Sequence, residues 1–138
     1  MNTEYSKWLG EISKLVGTYK PIRETGSPAE IQELRDSLSE ALFYFGPVQA
    51  QLRANAERAE AEYKSCLKEK TLYWKEKFSS KRGTADMVEA QAVLECKELQ
   101  DDLISANEDF YLAKSLLERS DQILNSVSSR LKLVTKHE

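Results

Sequence analysis

The last third of the chain carries the pattern that most restricts its fold. Apolar residues recur there at alternating four- and three-residue spacings, and only Ser120 interrupts the series. No proline or glycine follows Gly83, so no strong helix breaker occurs in this stretch. Such heptads predict one helix of roughly fifty residues, whose apolar seam packs against other helices. We predict that this seam serves oligomerisation; its members are Leu103, Ala106, Phe110, Ala113, Leu117, Leu124, Val127 and Leu131.

The N-terminal region has helical periodicity as well. Apolar residues within 5–19 recur at three- and four-residue spacings, which predicts an amphipathic helix of about five turns. Proline disfavours helical geometry in the residue before it, so we expect this helix to end at Lys20-Pro21 and a linker to follow over residues 21–27. Residues 4–20 carry three lysines against two glutamates, so electrostatic attraction to an anionic membrane would be small.

A second helix is predicted to begin at Pro28. Ser27 is a suitable N-cap, Pro28 suits the first helical position, and Glu30 can close a capping box. Gly46-Pro47 indicates either a kink or a short break, followed by a long helix from about residue 47 to residue 80. The serines at 126, 128 and 129 are the weakest part of the last helix.

A turn is predicted between the two long helices. Gly83 can end a helix and Thr84 can cap the next one. Helices joined by so short a turn are expected to fold back as an antiparallel hairpin. We therefore predict an all-α protein: an N-terminal amphipathic helix and linker (1–27), then a helical hairpin core with the oligomerisation region (28–138).

The segment before this turn combines positive charge with aromatic rings. Residues 64–82 hold seven basic and two acidic side chains, whereas the whole chain has a net charge of −3. Lysine and arginine neutralise phosphates and rings stack on bases, so the pattern is typical of a surface for single-stranded nucleic acid. The alternative is a helix whose rings face a core and whose lysines are solvated. The candidate binding residues are Lys68, Lys70, Trp74, Lys75, Lys77, Phe78, Lys81 and Arg82.

The sequence offers little for catalysis. The only histidine, His137, is penultimate, and no phosphate-loop, dinucleotide, zinc-protease or serine-hydrolase motif occurs. Adjacent acidic pairs such as Asp101-Asp102 diverge by about 100° on a helix, so they do not converge on one metal ion. We therefore expect no enzymatic activity, no cofactor and no metal.

The cysteines and the hydropathy indicate the compartment. Cys66 and Cys96 occur in no metal-binding pattern. We expect two buried thiols in a reducing compartment, and a disulfide between them is the alternative. No stretch approaches the ~20 apolar residues that cross a bilayer. A soluble intracellular protein without membrane association is expected.

The order of these features resembles the UvsY family of phage recombination mediators. The similarity covers about residues 35–137: a long helix, a basic-aromatic end with an Arg-Gly turn (Lys75–Gly83), and an acidic then apolar helix containing Phe110-Tyr111-Leu112. The helix at 5–19 has no counterpart. The resemblance implies a ring-like homo-oligomer in the cytoplasm of an infected bacterium, which binds single-stranded DNA, helps to strip single-strand binding protein and loads a RecA-like recombinase. By position, Lys75, Lys77, Lys81 and Arg82 would contact DNA, and residues 103–134 would assemble the oligomer.

A different function class also fits the sequence. Residues 83–121 carry a net charge of −7, which suits a protein-interaction module that imitates DNA or docks a basic partner. Such an adaptor or phage-encoded inhibitor would bind no nucleic acid.

Overall fold

A computed structural model of the chain describes residues 3–78 and 84–136. Within these ranges it has four helices and no strand: α1 (Thr3–Thr25), α2 (Pro28–Phe78), α3 (Thr84–Glu95) and α4 (Lys97–Lys136). The all-α prediction is confirmed. Most of the predicted turn, Ser79–Gly83, and His137 lie outside the described residues.

Helix α1 does not end where the sequence predicted. It passes through Pro21 and ends at Thr25, so the predicted linker is helical over most of its length. Pro21 lacks the N–H that would bond the carbonyl of Gly17, but both residues are exposed. The Gly17 carbonyl can therefore tilt towards water, and the loss of the exposed Pro21 hydrogen bond does not stop the helix.

The break between α1 and α2 is confined to Gly26 and Ser27. The Gly26 N–H donates to the Ile22 carbonyl at 2.8 Å, and a β-carbon at Gly26 would overlap that same oxygen. The Glu30 N–H donates to Ser27 Oγ at 3.3 Å, while the Ser27 N–H donates to Glu30 Oε1 at 3.4 Å. The predicted capping box is confirmed.

Helix α2 continues through Gly46-Pro47 without a break. The predicted fifty-residue helix, by contrast, is interrupted at Cys96 between α3 and α4. The interruption is one residue long, because the Cys96 N–H still donates to the Ala92 carbonyl and the Gln100 N–H to the Cys96 carbonyl. The serine-rich stretch 126–129 stays helical, and Ser129 Oγ donates to the Asn125 carbonyl at 2.9 Å.

The chain forms two compact units. The first comprises Met1–Gln51 and Tyr111–Glu138. Its contacts join α1 to α4 through a 2.6 Å hydrogen bond between the hydroxyls of Tyr19 and Ser126, and α1 to α2 through stacking of Trp8 on Tyr44. Its buried core contains Tyr5, Ile12, Ile31, Leu34, Leu38, Ala41, Phe45, Val48, Ala113, Ser120, Ile123 and Val127.

The second unit, Leu52–Phe110, contains the last half of α2, all of α3 and the start of α4. Among the described residues it buries fewer apolar side chains than the first: Leu52, Ala56, Val88, Ala92 and Cys96. The predicted hairpin and the boundary at residues 27 and 28 stay predictions.

The apolar seam of α4 takes part in the chain's own packing. Ala113 and Val127 are buried, and Ser120, which interrupts the seam, is buried with its hydroxyl donating to the Leu116 carbonyl at 2.7 Å. A buried serine is accommodated here because its own helix satisfies the hydroxyl. The other predicted seam residues are half-buried: Leu103, Ala106, Phe110, Leu117, Leu124 and Leu131. Their use in an oligomer stays a prediction.

Candidate nucleic-acid interface

Six of the eight predicted binding residues lie on the last three turns of α2. Lys68, Lys75 and Lys77 are exposed. The half-buried side chains are those of Lys70, Trp74 and Phe78, which recur every four residues and so share one row of the helix. Lys81 and Arg82 lie outside the described residues.

An aromatic cluster marks the end of this helix. The Trp74 and Phe78 rings stack with centroids 5.3 Å apart and an interplanar angle of 18°. Tyr73 meets Trp74 edge-on at 5.2 Å, and Lys77 Nζ lies 5.5 Å from the centre of the Tyr73 ring. Tyr73 is 50% exposed. The alternative, in which the rings face a core, therefore holds in part for the half-buried Trp74 and Phe78. It does not hold for Tyr73.

Glu95 of α3 anchors this cluster. The Trp74 indole N–H donates to Glu95 Oε2 at 3.1 Å, and the Gln91 amide donates to Oε1 at 3.3 Å. Lys70 Nζ lies 3.8 Å from Oε2. The Trp74 hydrogen bond, and then that of Gln91, lower the pKa of Glu95 from its ordinary value of 4.5. Desolvation opposes them, and the Lys70 charge makes the smallest contribution, which also lowers this pKa. Because Lys70 forms this ion pair, it is less available to a phosphate than Lys68, Lys75 or Lys77.

A disulfide between Cys66 and Cys96 joins the same two parts of the chain, with the Cα atoms 6.1 Å apart. The expectation of two reduced thiols is therefore wrong. Sequence periodicity missed this pair, although one signal was present. The midpoint between residues 66 and 96 is residue 81, inside the predicted turn, so an antiparallel pairing about that turn would place the two cysteines opposite each other.

A cleft of about 600 Å³ lies between α2 and α3, next to the aromatic cluster. One wall is the row Leu67, Thr71 and Lys75 of α2, which recur every four residues. The α3 wall contains Ala85, Val88, Glu89, Ala92 and Val93. Sequence reasoning missed this cleft, because each of its walls alone looks like an ordinary amphipathic helix.

The described ranges contain neither a metal-binding group of side chains nor a membrane-spanning helix. No group of three or more histidine, cysteine, aspartate or glutamate side chains is placed there to hold a metal ion. None of the helices described is long and apolar enough to cross a membrane.

The geometry thus defines an all-helical protein with a basic-aromatic surface at the end of α2. Comparisons with known proteins add no family: no family profile, no curated protein and no solved structure matches the chain significantly.

Proposed function

We propose that this protein is a non-enzymatic, single-stranded DNA-binding recombination mediator that assists the loading of a RecA-like recombinase. The observation that carries the proposal is the cluster of Tyr73, Trp74 and Phe78 beside the exposed Lys75 and Lys77. The mediator role and its setting, the cytoplasm of an infected bacterium, rest on the family resemblance. DNA binding rests on the residues themselves.

The chemistry of the cluster suits a single strand better than a duplex. A base that stacks on an aromatic ring contributes about 1–3 kcal/mol, and an unpaired strand exposes the base faces that stacking needs. The exposed Tyr73 offers a ring face, while Lys75 and Lys77 extend from the same helical turns as the rings. The Glu95 anchor holds Trp74 in place before DNA arrives, which lowers the entropic cost of binding.

We further propose that the two long helices pair as an antiparallel hairpin and that the seam of α4 assembles a ring-like homo-oligomer. Several copies on one strand would raise the effective concentration of each basic-aromatic surface. The half-buried seam residues support this, since their remaining exposed area could pack against a second copy. Single-strand binding protein and a recombinase would be the protein partners.

Lysine substitution tests DNA contact directly. For single strands, the slope of log K against log salt changes by about 0.7 for each phosphate contact. The K75A/K77A variant should therefore bind labelled oligo-dT more weakly, and its slope should be shallower by about 1.4. Fluorescence anisotropy over a salt series measures both quantities.

A charge-matched control separates contact from net charge. Lys14 and Lys114 are exposed on α1 and α4, so K14A/K114A loses the same charge away from the cluster. It should keep the wild-type slope. Equal slopes for K75A/K77A and wild type, with circular dichroism showing that both are folded, would show that Lys75 and Lys77 do not contact DNA.

A protein-interaction module is the second candidate. It is favoured by large apolar side chains exposed in the acidic stretch of α3 and α4: Met87 is 54%, Leu94 is 64% and Ile104 is 49% exposed. Exposed apolar side chains in an acidic stretch suit a basic amphipathic partner. Folded protein that binds no oligo-dT at low salt, but forms a stoichiometric complex with a host protein, would favour this function.

A further inference from the structure

We propose that the cleft between α2 and α3 binds one unstacked base of the single strand and prefers the bases that carry an exocyclic amino group (cytosine, adenine and guanine) over thymine. This inference rests on the proposed DNA binding and adds a selectivity that the basic-aromatic surface alone would not have. Stacking and phosphate contacts tolerate any sequence, so base preference needs a separate site.

The cleft has room for a base and an apolar floor. Its volume of about 600 Å³ falls in the range of small-molecule sites, about 300–1,000 Å³. Leu67, Val88 and Ala92 supply apolar surface, and Val88 and Ala92 are only 3% and 1% exposed. A flat base placed against these side chains would displace water both from the apolar surface of the cleft and from one face of the base.

The polar side chains of the cleft are unequal in what they can recognise. The Glu89 carboxylate only accepts hydrogen bonds, so it can pair with the amino group of cytosine, adenine or guanine. Thymine has no amino group, and its one donor on the base-pairing edge, N3–H, lies between two carbonyl oxygens that the carboxylate would repel. The Thr71 hydroxyl donates or accepts, so it adds affinity without choosing between these bases.

The cleft also lies where a bound strand would pass. The row that lines it, Leu67, Thr71 and Lys75, neighbours the row of Lys70, Trp74 and Phe78 on α2. Lys75 is next to Trp74 in the chain, and its ammonium group can neutralise the phosphate between two nucleotides. A strand with one base on the rings can thus direct a neighbouring base into the cleft.

An apolar side chain of a second copy is the competing occupant. It would pack on the same apolar side chains, but it would form no polar contact with Glu89 or Lys75. It would also give no base preference. The positive charge and rings beside the cleft favour the nucleic acid.

The test compares equal-length oligo-dC and oligo-dT at one salt concentration, for wild type and for E89Q. Wild type should bind oligo-dC about fivefold to tenfold more tightly, a modest discrimination for a base-edge contact. Glutamine can also donate a hydrogen bond, to the thymine carbonyl, so E89Q should lose most of this ratio. Removing a negative charge will raise both affinities, so the ratio is the readout.

A matched control is E98Q, because Glu98 is exposed on α4 and is not part of the cleft. It should keep the wild-type ratio. Tight binding of both strands without preference, or a preference that E89Q retains, would overturn the base-binding cleft and leave DNA binding intact. Failure of wild type to bind either strand would instead overturn the proposed function.

Discussion

The indole of Trp74 is held both by contacts with other rings and by a hydrogen bond. One ring face stacks on Phe78, and the N–H is held by the Glu95 carboxylate of α3. A ring anchored in this way needs less ordering when a base stacks beside it. The Glu95 carboxylate must be ionised to act as a strong acceptor, so protonation should release the indole.

The pH dependence of Trp74 follows from the lowered pKa of Glu95. A carboxylate whose pKa is lowered by folding stabilises the native state fully above its ordinary value of 4.5, and that stabilisation is lost as the pH falls through the lowered value. In a W8F background, the Trp74 emission should stay constant from about pH 7 down to about 4.5 and shift only below that range. The same titration with E95Q should show no such shift. A transition centred above 4.5 would contradict the proposed anchor.

At the scale of the helices, the start of α2 was predicted correctly, whereas the end of α1 was misplaced and the disulfide and the cleft were missed. The capping box of Ser27 and Glu30 needs only four consecutive residues, so the start of α2 was predictable. The end of α1 was misplaced because the sequence does not show that Pro21 is exposed. The disulfide and the cleft were missed because each depends on which faces of α2 and α3 meet.

The Cys66–Cys96 disulfide closes a loop with a sequence separation of 30 residues. By loop-closure entropy, a bond of this span lowers the entropy of the unfolded chain and contributes about 3.5 kcal/mol to stability. Adding a thiol reductant should therefore lower the free energy of unfolding in urea by about this amount. The C66S/C96S variant should not respond to reductant. Identical urea midpoints for oxidised and reduced wild-type protein would show that the bond does not stabilise the fold.

This bond also bears on the expected cytoplasmic location. Disulfides persist chiefly in oxidising compartments, so a cytoplasmic protein would function mainly in its reduced form. In that form the Trp74–Glu95 hydrogen bond and the Lys70–Glu95 ion pair would have to hold the end of α2 against α3.

At the scale of the whole molecule, charge alternates along the sequence. Residues 1–63 carry −3, residues 64–82 carry +5, residues 83–121 carry −7 and residues 122–138 carry +2. The basic segment can attract a strand, while the acidic segment repels it, so DNA would be confined to one surface. The same alternation suits association between copies. The charge pattern was evident from the sequence, whereas the ring geometry beside the basic residues required the structure.

The proposed function depends on the binding of single-stranded DNA at the end of α2. The most direct measurement is the anisotropy of labelled oligo-dT titrated with wild-type protein at low and at moderate salt, with a duplex of equal length as competitor. We predict salt-sensitive binding that the duplex displaces poorly, because a duplex hides the base faces that Tyr73 and its neighbours would stack on. No binding at low salt by folded protein, or equal affinity for the duplex, would contradict the proposed function.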